Sequence, residues 1–224
     1  MVTTVYLVRH AEAMGNINET FQGHTDCELS PKGRIQLEQL KERFRSIDIS
    51  CIFASPLLRT RETADAVNAF HDLPVQIDGG LIEINGGVFE NKRWCDLPAL
   101  YPKSYDLWAN DFSQFEVEGG ESMEQVYNRI TLTVTKLAAR NHGKEIAIVS
   151  HGCAIRNFLC YAADFAHSRI QEIPWSDNTA VSKIEFDENL KPKIIFQNDA
   201  SHLNLEMSTL AHQTWWKDEA VAAK

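Results

Sequence analysis

The chain has 224 residues, 44% hydrophobic and 24% charged, the composition of a globular protein long enough to fill one core. Its formal net charge is −9, from 22 Lys and Arg against 31 Asp and Glu, which argues against nucleic acid or an anionic membrane as a partner. Any anion site must be a local cluster of positive charge on a negative protein. The five cysteines (Cys27, Cys51, Cys95, Cys153, Cys160) are scattered, without a C-x-x-C pair, and read as reduced thiols of a cytoplasmic protein. No apolar run approaches the ~18 residues of a membrane span, and the first residues lack a signal-peptide pattern, so neither is expected.

In chain order, the first element is the apolar run "TTVYLVRH", a buried strand that ends by delivering Arg9 and His10. Ser30 before Pro31 then opens a helix whose Ile35, Leu37, Leu40, Phe44 and Ile47 recur at mostly helical spacing. "ISCIFASP" (49–56) reads as a second strand, closed by Pro56, and residues 55–70 as a helix opened by Ser55 and Pro56. Residues 84–120, rich in Trp, Tyr, Gly and Pro with a weak period, read as an excursion off the sheet, lying over the site. A helix is expected over 121–143, ended by Gly143, with Val126, Ile130, Val134 and Leu137 inward. "KEIAIVSH" is the third strand, and a helix starts directly after His151. Residues 178–199 alternate around a turn and read as an edge hairpin in which Pro192 is tolerated. The tail 204–224 reads as a short helix carrying Trp215 and Trp216.

Strands alternating with helices imply a three-layer α/β/α sandwich on a mostly parallel sheet, one domain over residues 1–203. Ligands of such sheets bind at the carboxyl ends of the strands. Two of the three clearest strands end in His10 and His151, and Arg59 lies one turn into the helix after the other, "ISCIFASP". If those strands are neighbours, two imidazoles and the guanidinia of Arg9 and Arg59 converge. Behind His151 the new helix offers free N–H groups, and Gly152 lets the backbone come close. Such a cluster suits a dianionic phosphoryl group, because arginine supplies forked donors and permanent charge. Either histidine alone carries little weight; their joint placement carries the argument. No cluster with metal-ligand spacing appears, and none is expected to be needed.

"LVRHAEAMGN", "SPLLRTRETA", "LIEINGGVFE", "GGES" and "VSHGCAIRNF", in this order, resemble the histidine phosphatase superfamily, which includes the cofactor-dependent phosphoglycerate mutases and many phosphatases. "FQGHTDCELSPKGRIQ" and "NDASHL" look similar to its members as well, so the resemblance runs from about residue 4 to 203. It implies a phosphoglycerate mutase-like fold and a role for each matched residue. His10 matches the nucleophile that becomes phosphohistidine, and Arg9 and Arg59 match the phosphate clamps. His151 matches the second histidine, and Glu83 the acid that protonates the departing oxygen. Asn16, Gln22 and Gly23 match the loop that contacts phosphate and substrate. The residues alone do not separate Glu83 from Glu90.

Several positions depart from the family pattern. Ala11 and Ala13 stand where Gly and Thr are more usual, Phe89 where Trp is common, and Asn91 where Gly is common. Ala11 is harmless unless the backbone there requires a positive φ. The leading expectation is a metal-independent phosphatase acting on small phosphorylated metabolites, as a monomer or homodimer and without a cofactor. The alternative is a phosphoglycerate mutase with the same chemistry, which would use 2,3-bisphosphoglycerate. It would need a cation for the glycerate carboxylate, and only Lys92 and Arg93 are nearby in sequence. "EINGGVFENKRW" looks more like the phosphatase branch. A third reading, a phospho-ligand-binding protein with dead chemistry, is opposed by the intact set His10, Arg59, Glu83 and His151.

Overall fold

The computed structural model describes residues 1–212. Its elements run β1 (Thr3–Arg9), α1 (Met14–Ile17), α2 (Pro31–Phe44), β2 (Cys51–Ala54), α3 (Leu58–Asn68) and β3 (Val75–Ile77). Then follow α4 (Leu97–Leu100), α5 (Pro102–Asn110), α6 (Met123–Arg140), β4 (Glu145–Ser150), α7 (Gly152–Ala162), β5 (Val181–Phe186), β6 (Pro192–Asp199) and α8 (Thr209–His212). The strands form one six-stranded sheet in the order β3-β2-β4-β1-β5-β6. β1 to β4 are parallel, and β5 and β6 run antiparallel as the edge hairpin, with Pro192 as the first residue of β6.

Both faces of the sheet are covered, which is why its central strands read as continuous apolar runs rather than alternating ones. Val5 and Leu7 of β1 pack with Ile146 and Ile148 against Val126, Ile130 and Val134 of α6 and Phe158 of α7. Tyr6 and Val8 face the opposite layer, with Leu40 and Phe44 of α2 and Ala64 and Val67 of α3. The result is the expected α/β/α sandwich.

Local signals explain most boundaries. Ser30 caps α2 by accepting from Gly33 N, with Pro31 in the first turn. Ser122 and Gln125 exchange hydrogen bonds across the first turn of α6, a capping box. That helix stops at Arg140, short of the expected 143, and Gly143 supplies a positive φ of 76° in the turn toward β4. Two other expectations are corrected. Ile35 is 49% exposed, because the inner face of α2 is set by Gly33, Gln36, Leu40 and Phe44. Ser55 and Pro56 do not open α3, which starts at Leu58 after Leu57. Ser55 instead extends the ladder, donating its N–H to Val149 O, and its hydroxyl is engaged across the sheet.

Residues 84–120 leave the sheet as short turns and the helices α4 and α5, which enclose an aromatic cluster. Phe89, Leu97, Phe112 and Phe115 are buried there, with Trp94 and Trp108 packed against them. Beyond β6 the chain makes a 3-10 turn (Leu205–Met207) and the short α8. The expected helix around Trp215 and Trp216 lies outside the described residues. Among the described residues no helix is long and apolar enough to cross a membrane.

Candidate active site

The register of the sheet brings the strand ends together. Arg9 lies opposite Ser150, and Ala54 opposite Val149, so β1, β4 and β2 end at the same level. His10 N continues the ladder by donating to Ser150 O at 3.0 Å. Consequently His10 and His151 face each other with ring centroids 5.2 Å apart. Leaving the sheet there, the chain runs from β1 toward β2 on one side and from β4 toward β5 on the other, which opens a crevice between them.

His10 is buried and fixed from several sides. Its Nδ1 lies 2.7 Å from Ala11 O, an atom that can only accept, so Nδ1 carries the ring proton and Nε2 presents a lone pair. Its backbone carbonyl accepts from Asn178 Nδ2 at 2.8 Å and Thr179 N at 3.3 Å. Burial, then the charges of Arg59 and Arg9, hold its pKa well below 6.5, so the imidazole is neutral at physiological pH. His151 is fully buried, with Nε2 2.7 Å from Ser55 Oγ and Nδ1 without a partner among the described residues. Burial and Arg59 depress its pKa too.

The two arginines are anchored differently. Arg59, 0% exposed, donates to Thr25 O (2.8 Å) and Gly23 O (2.9 Å), with Nε left over. Arg9 donates to Ser176 O, and its buried Nε also lacks a partner among the described residues. A Cβ on Gly152 would come within 3.2 Å of Arg9 Nε and 3.3 Å of its Cζ, so the glycine allows the guanidinium to cross the start of α7. Arg9 Nε, Arg59 Nε and His151 Nδ1 are thus three buried nitrogens without a partner among the described residues, and of the three side chains only Arg9 lines the cavity beside His10. Buried polar groups are nearly always paired, so such a set favours an anion with several acceptor oxygens.

Glu83 occupies the start of α7. Its Oε1 accepts from Ile84 N and Ala154 N, and its Oε2 from Cys153 N, each at 3.0 Å. Two of the helix N–H groups expected to be free, those of Cys153 and Ala154, are therefore committed to this carboxyl group. Burial raises the Glu83 pKa, outweighing the three N–H groups and Arg59, which lower it. Arg129 holds the segment in place by donating to Gly80 O, Ile82 O and Glu83 O while paired with Glu121 at 2.8 Å. Glu90 has a separate task. It gathers Gly23 N, His24 N, Thr25 N, Gly86 N and the Thr25 hydroxyl, stapling two loops. Burial alone would raise its pKa, but those hydrogen bonds overcome it and leave Glu90 ionised.

A cavity of about 150 Å³ opens beside His10. Arg9, His10, Glu83 and Gly152 line one part of it, and Asn16 and Gln22 also reach it. Asn16 Oδ1 accepts from Ala13 N (3.0 Å), and Gln22 lies over Gly15, where a Cβ would meet its side chain at 2.2 Å. Gly23 does not line the cavity. Its backbone is pressed between Glu90 and Ile84 O, and its carbonyl serves Arg59. Ala11 is not among the residues with positive φ, so it adds no strain, and Ala11 and Ala13 are packed against Leu29. Asn91 does adopt φ 61°, the left-handed region where Asn is the best-tolerated substitute for Gly.

Several residues at the site escaped sequence reasoning. Ser55 could have been found as the strand-end neighbour of His151. Arg129, Glu121, Ser176, Asp177 and Asn178 had no local signal, because their roles depend on distant backbone. Among the described residues no group of three His, Cys, Asp or Glu could hold a metal ion.

Comparison with known proteins identifies the family and the fold. The family description "Histidine phosphatase superfamily (branch 1)" matches residues 5–199. Phosphoserine phosphatase 1 of Hydrogenobacter thermophilus is 30% identical over 210 residues, covering 92% of this chain and 97% of that protein. A probable phosphoglycerate mutase of Citrobacter koseri, GpmB, is 30% identical over 215 residues, covering 89% and 94%. Among solved structures, YhfR of Bacillus stearothermophilus superimposes with a TM-score of 0.86 at 27% identity, covering 90% of this chain and all of that one.

Proposed function

The chain belongs to the histidine phosphatase superfamily, and from that membership we propose that it hydrolyses phosphate monoesters of small metabolites through a phosphohistidine on His10. The observation that carries this reading is the tautomer of His10: the Nδ1–H···O=C bond to Ala11 leaves Nε2 as a neutral nucleophile within the arginine cluster.

Phosphoryl transfer is largely a matter of in-line placement and charge neutralisation. The Nε2 lone pair attacks phosphorus while the P–O bond to the alcohol breaks. Burial raises the Glu83 pKa and so favours the protonated carboxyl, which gives its proton to the departing oxygen. The Glu83 carboxylate then takes a proton from water, whose oxygen attacks the phosphohistidine. The P–N bond breaks, and inorganic phosphate leaves. With the Ser55 hydroxyl donating to His151 Nε2, His151 Nδ1–H joins Arg9 and Arg59 in balancing the transferring oxygens. The charge comes from side chains, so the reading needs no metal and no organic cofactor.

A mutase would share these steps but must also hold a glycerate carboxylate. Lys92 and Arg93 are exposed and do not line the cavity, and Arg93 lies 3.8 Å from Glu19. That placement favours the phosphatase.

The test is phosphate release from p-nitrophenyl phosphate by the wild type and His10→Ala. The variant should fold normally by circular dichroism and lose turnover by about three orders of magnitude or more. Retention of a tenth of wild-type turnover would remove His10 as nucleophile.

A further inference from the structure

Around the cavity, chemistry and charge are unevenly divided. Arg9, His10, Glu83 and Gly152 form the end where phosphate would react. Most of the remaining wall is apolar, built from Phe21, Ile84, Trp94, Trp108, Trp175 and Leu210. These rings are held by one another. Trp108 packs against Phe21 (5.3 Å between centroids), Trp94 (5.4 Å), Phe112 (4.8 Å) and Phe115 (4.9 Å), and stacks on Trp175 at 6.2 Å. Arg156 fixes Trp175 from behind, its Cζ 4.6 Å from the ring centre while Nε donates to Ile173 O.

Leu210 comes from far along the chain. Asp177 delivers it by accepting from Leu210 N (3.2 Å), Thr209 N (2.9 Å) and the Ser208 hydroxyl (2.6 Å). Gln36 Nε2 and Lys32 Nζ tie down the same segment through Met207 O and Ser208 O. The wall is therefore preorganised, and a ligand would not have to order it.

Among the described residues that line the cavity, Arg9 is the only arginine or lysine, and it belongs to the phosphate end. The polar residues on the remaining side, Asn16, Thr20 and Gln22, are uncharged. Arg156 is spent on Trp175 and backbone carbonyls. A substrate with a carboxylate on its alcohol portion would lose hydration against indole faces without gaining a counter-ion, which is heavily unfavourable. A neutral hydrocarbon or ring there would gain by burial and by ring contacts.

We propose that the preferred substrates are phosphate monoesters of neutral, apolar or ring-bearing alcohols, selected by the Trp94–Trp108–Trp175 wall and Leu210, and that phosphorylated hydroxy acids and amino acids are poor substrates. This rests on the phosphatase reading above.

Four esters test it: p-nitrophenyl phosphate, 2-phenylethyl phosphate, O-phosphoserine and 3-phosphoglycerate. The last three are aliphatic esters with poor leaving groups, so differences among them report the pocket. The expected kcat/KM for 2-phenylethyl phosphate exceeds that for the two acids at least tenfold. Leu210→Lys, which adds a cation at the rim, should shift that ratio toward 3-phosphoglycerate about tenfold. Equal or faster hydrolysis of either acid by the wild type, or an unmoved ratio in Leu210→Lys, overturns the substrate class and leaves the phosphatase standing. No phosphate from any ester, or conversion of 3-phosphoglycerate to 2-phosphoglycerate without release, overturns the phosphatase and this proposal together.

Discussion

Glu83 and Glu90 sit in one loop; the family resemblance points to Glu83, but the residues themselves give no physical ground for choosing between them. The structure separates them by what surrounds each carboxyl group. Glu90 accepts several backbone N–H groups and a hydroxyl and stays ionised; Glu83 lies in the cavity wall, where burial outweighs its hydrogen bonds and raises its pKa. Only a group that holds a proton can give one to a leaving alkoxide. The pH profile follows with its signs. Activity needs His10 neutral, hence a pH above its pKa, which lies well below 6.5. It needs Glu83 protonated, hence a pH below its pKa, which is raised above 4.5. A bell is expected for kcat/KM on an alkyl phosphate, with Glu83 setting the alkaline limb. In Glu83→Gln that limb should disappear, with a loss of ~10²–10⁴-fold on alkyl phosphates and a much smaller loss on p-nitrophenyl phosphate. An alkaline limb that survives the substitution would take Glu83 out of the acid role.

At the scale of elements, the turn at Asn91 shows how a departure from the family pattern is absorbed. Asn91 N donates to Phe21 O, Phe21 N to Lys92 O, and Trp94 N to Glu19 O, so residues 19–21 and 91–94 are zipped together. This short pairing sets Phe21 and Trp94 in the cavity wall, and the positive φ of Asn91 is what lets the chain double back. Asn91→Gly should leave thermal stability nearly unchanged, whereas Asn91→Val should cost ~1–2 kcal/mol in urea unfolding. Indistinguishable midpoints for the two variants would mean that the backbone relaxes out of the left-handed region. Phe89, another departure, is fully buried against Phe21, Tyr101 and Phe115 and supports the wall from behind.

Across the whole molecule, histidine burial couples stability to pH. His10 and His151 have pKa values well below 6.5, and burial and Arg43 lower His202 to about 4. His202 accepts from Arg43 at Nδ1 and faces the Thr179 hydroxyl through Nε2, which suits a neutral ring. In the unfolded chain these histidines titrate near 6.5. Their contribution is fully present above pH 6.5 and is lost as pH falls toward the folded-state values, because the unfolded state then binds more protons. Each histidine adds a slope of about 1.4 kcal/mol per pH unit, and ~1 kcal/mol moves Tm by roughly 2–4 °C in a chain of this size. Three such groups over the ~1.5 pH units below 6.5 should therefore lower Tm by roughly 10 °C or more from pH 7 to pH 5, less what the shrinking self-repulsion of the net charge of −9 restores. His202→Gln should flatten the slope by about one proton. A Tm that holds level or rises on acidification would contradict neutral buried histidines.

The sandwich was legible in the sequence because its causes are local. Apolar runs mark strands buried on both faces, and Ser30-Pro31 and Ser122 mark helix starts. Strand-end histidines announce themselves by position, and together with Arg9 and Arg59 they pointed to a phosphate site. Ser55 misled because a serine before a proline caps many helices, whereas here its hydroxyl answers to His151, 96 residues away. What only the tertiary structure decided are properties set by neighbours distant along the chain. These are the proton on His10 Nδ1, the opposite pKa shifts of Glu83 and Glu90, and the commitment of the Cys153 and Ala154 N–H groups to Glu83. The indole wall completed by Leu210 belongs with them. The sequence by itself determined which residue types stand at the ends of the strands. Their protonation and the polarity of the cavity depend on burial and long-range hydrogen bonds, which exist only once the chain has closed around them.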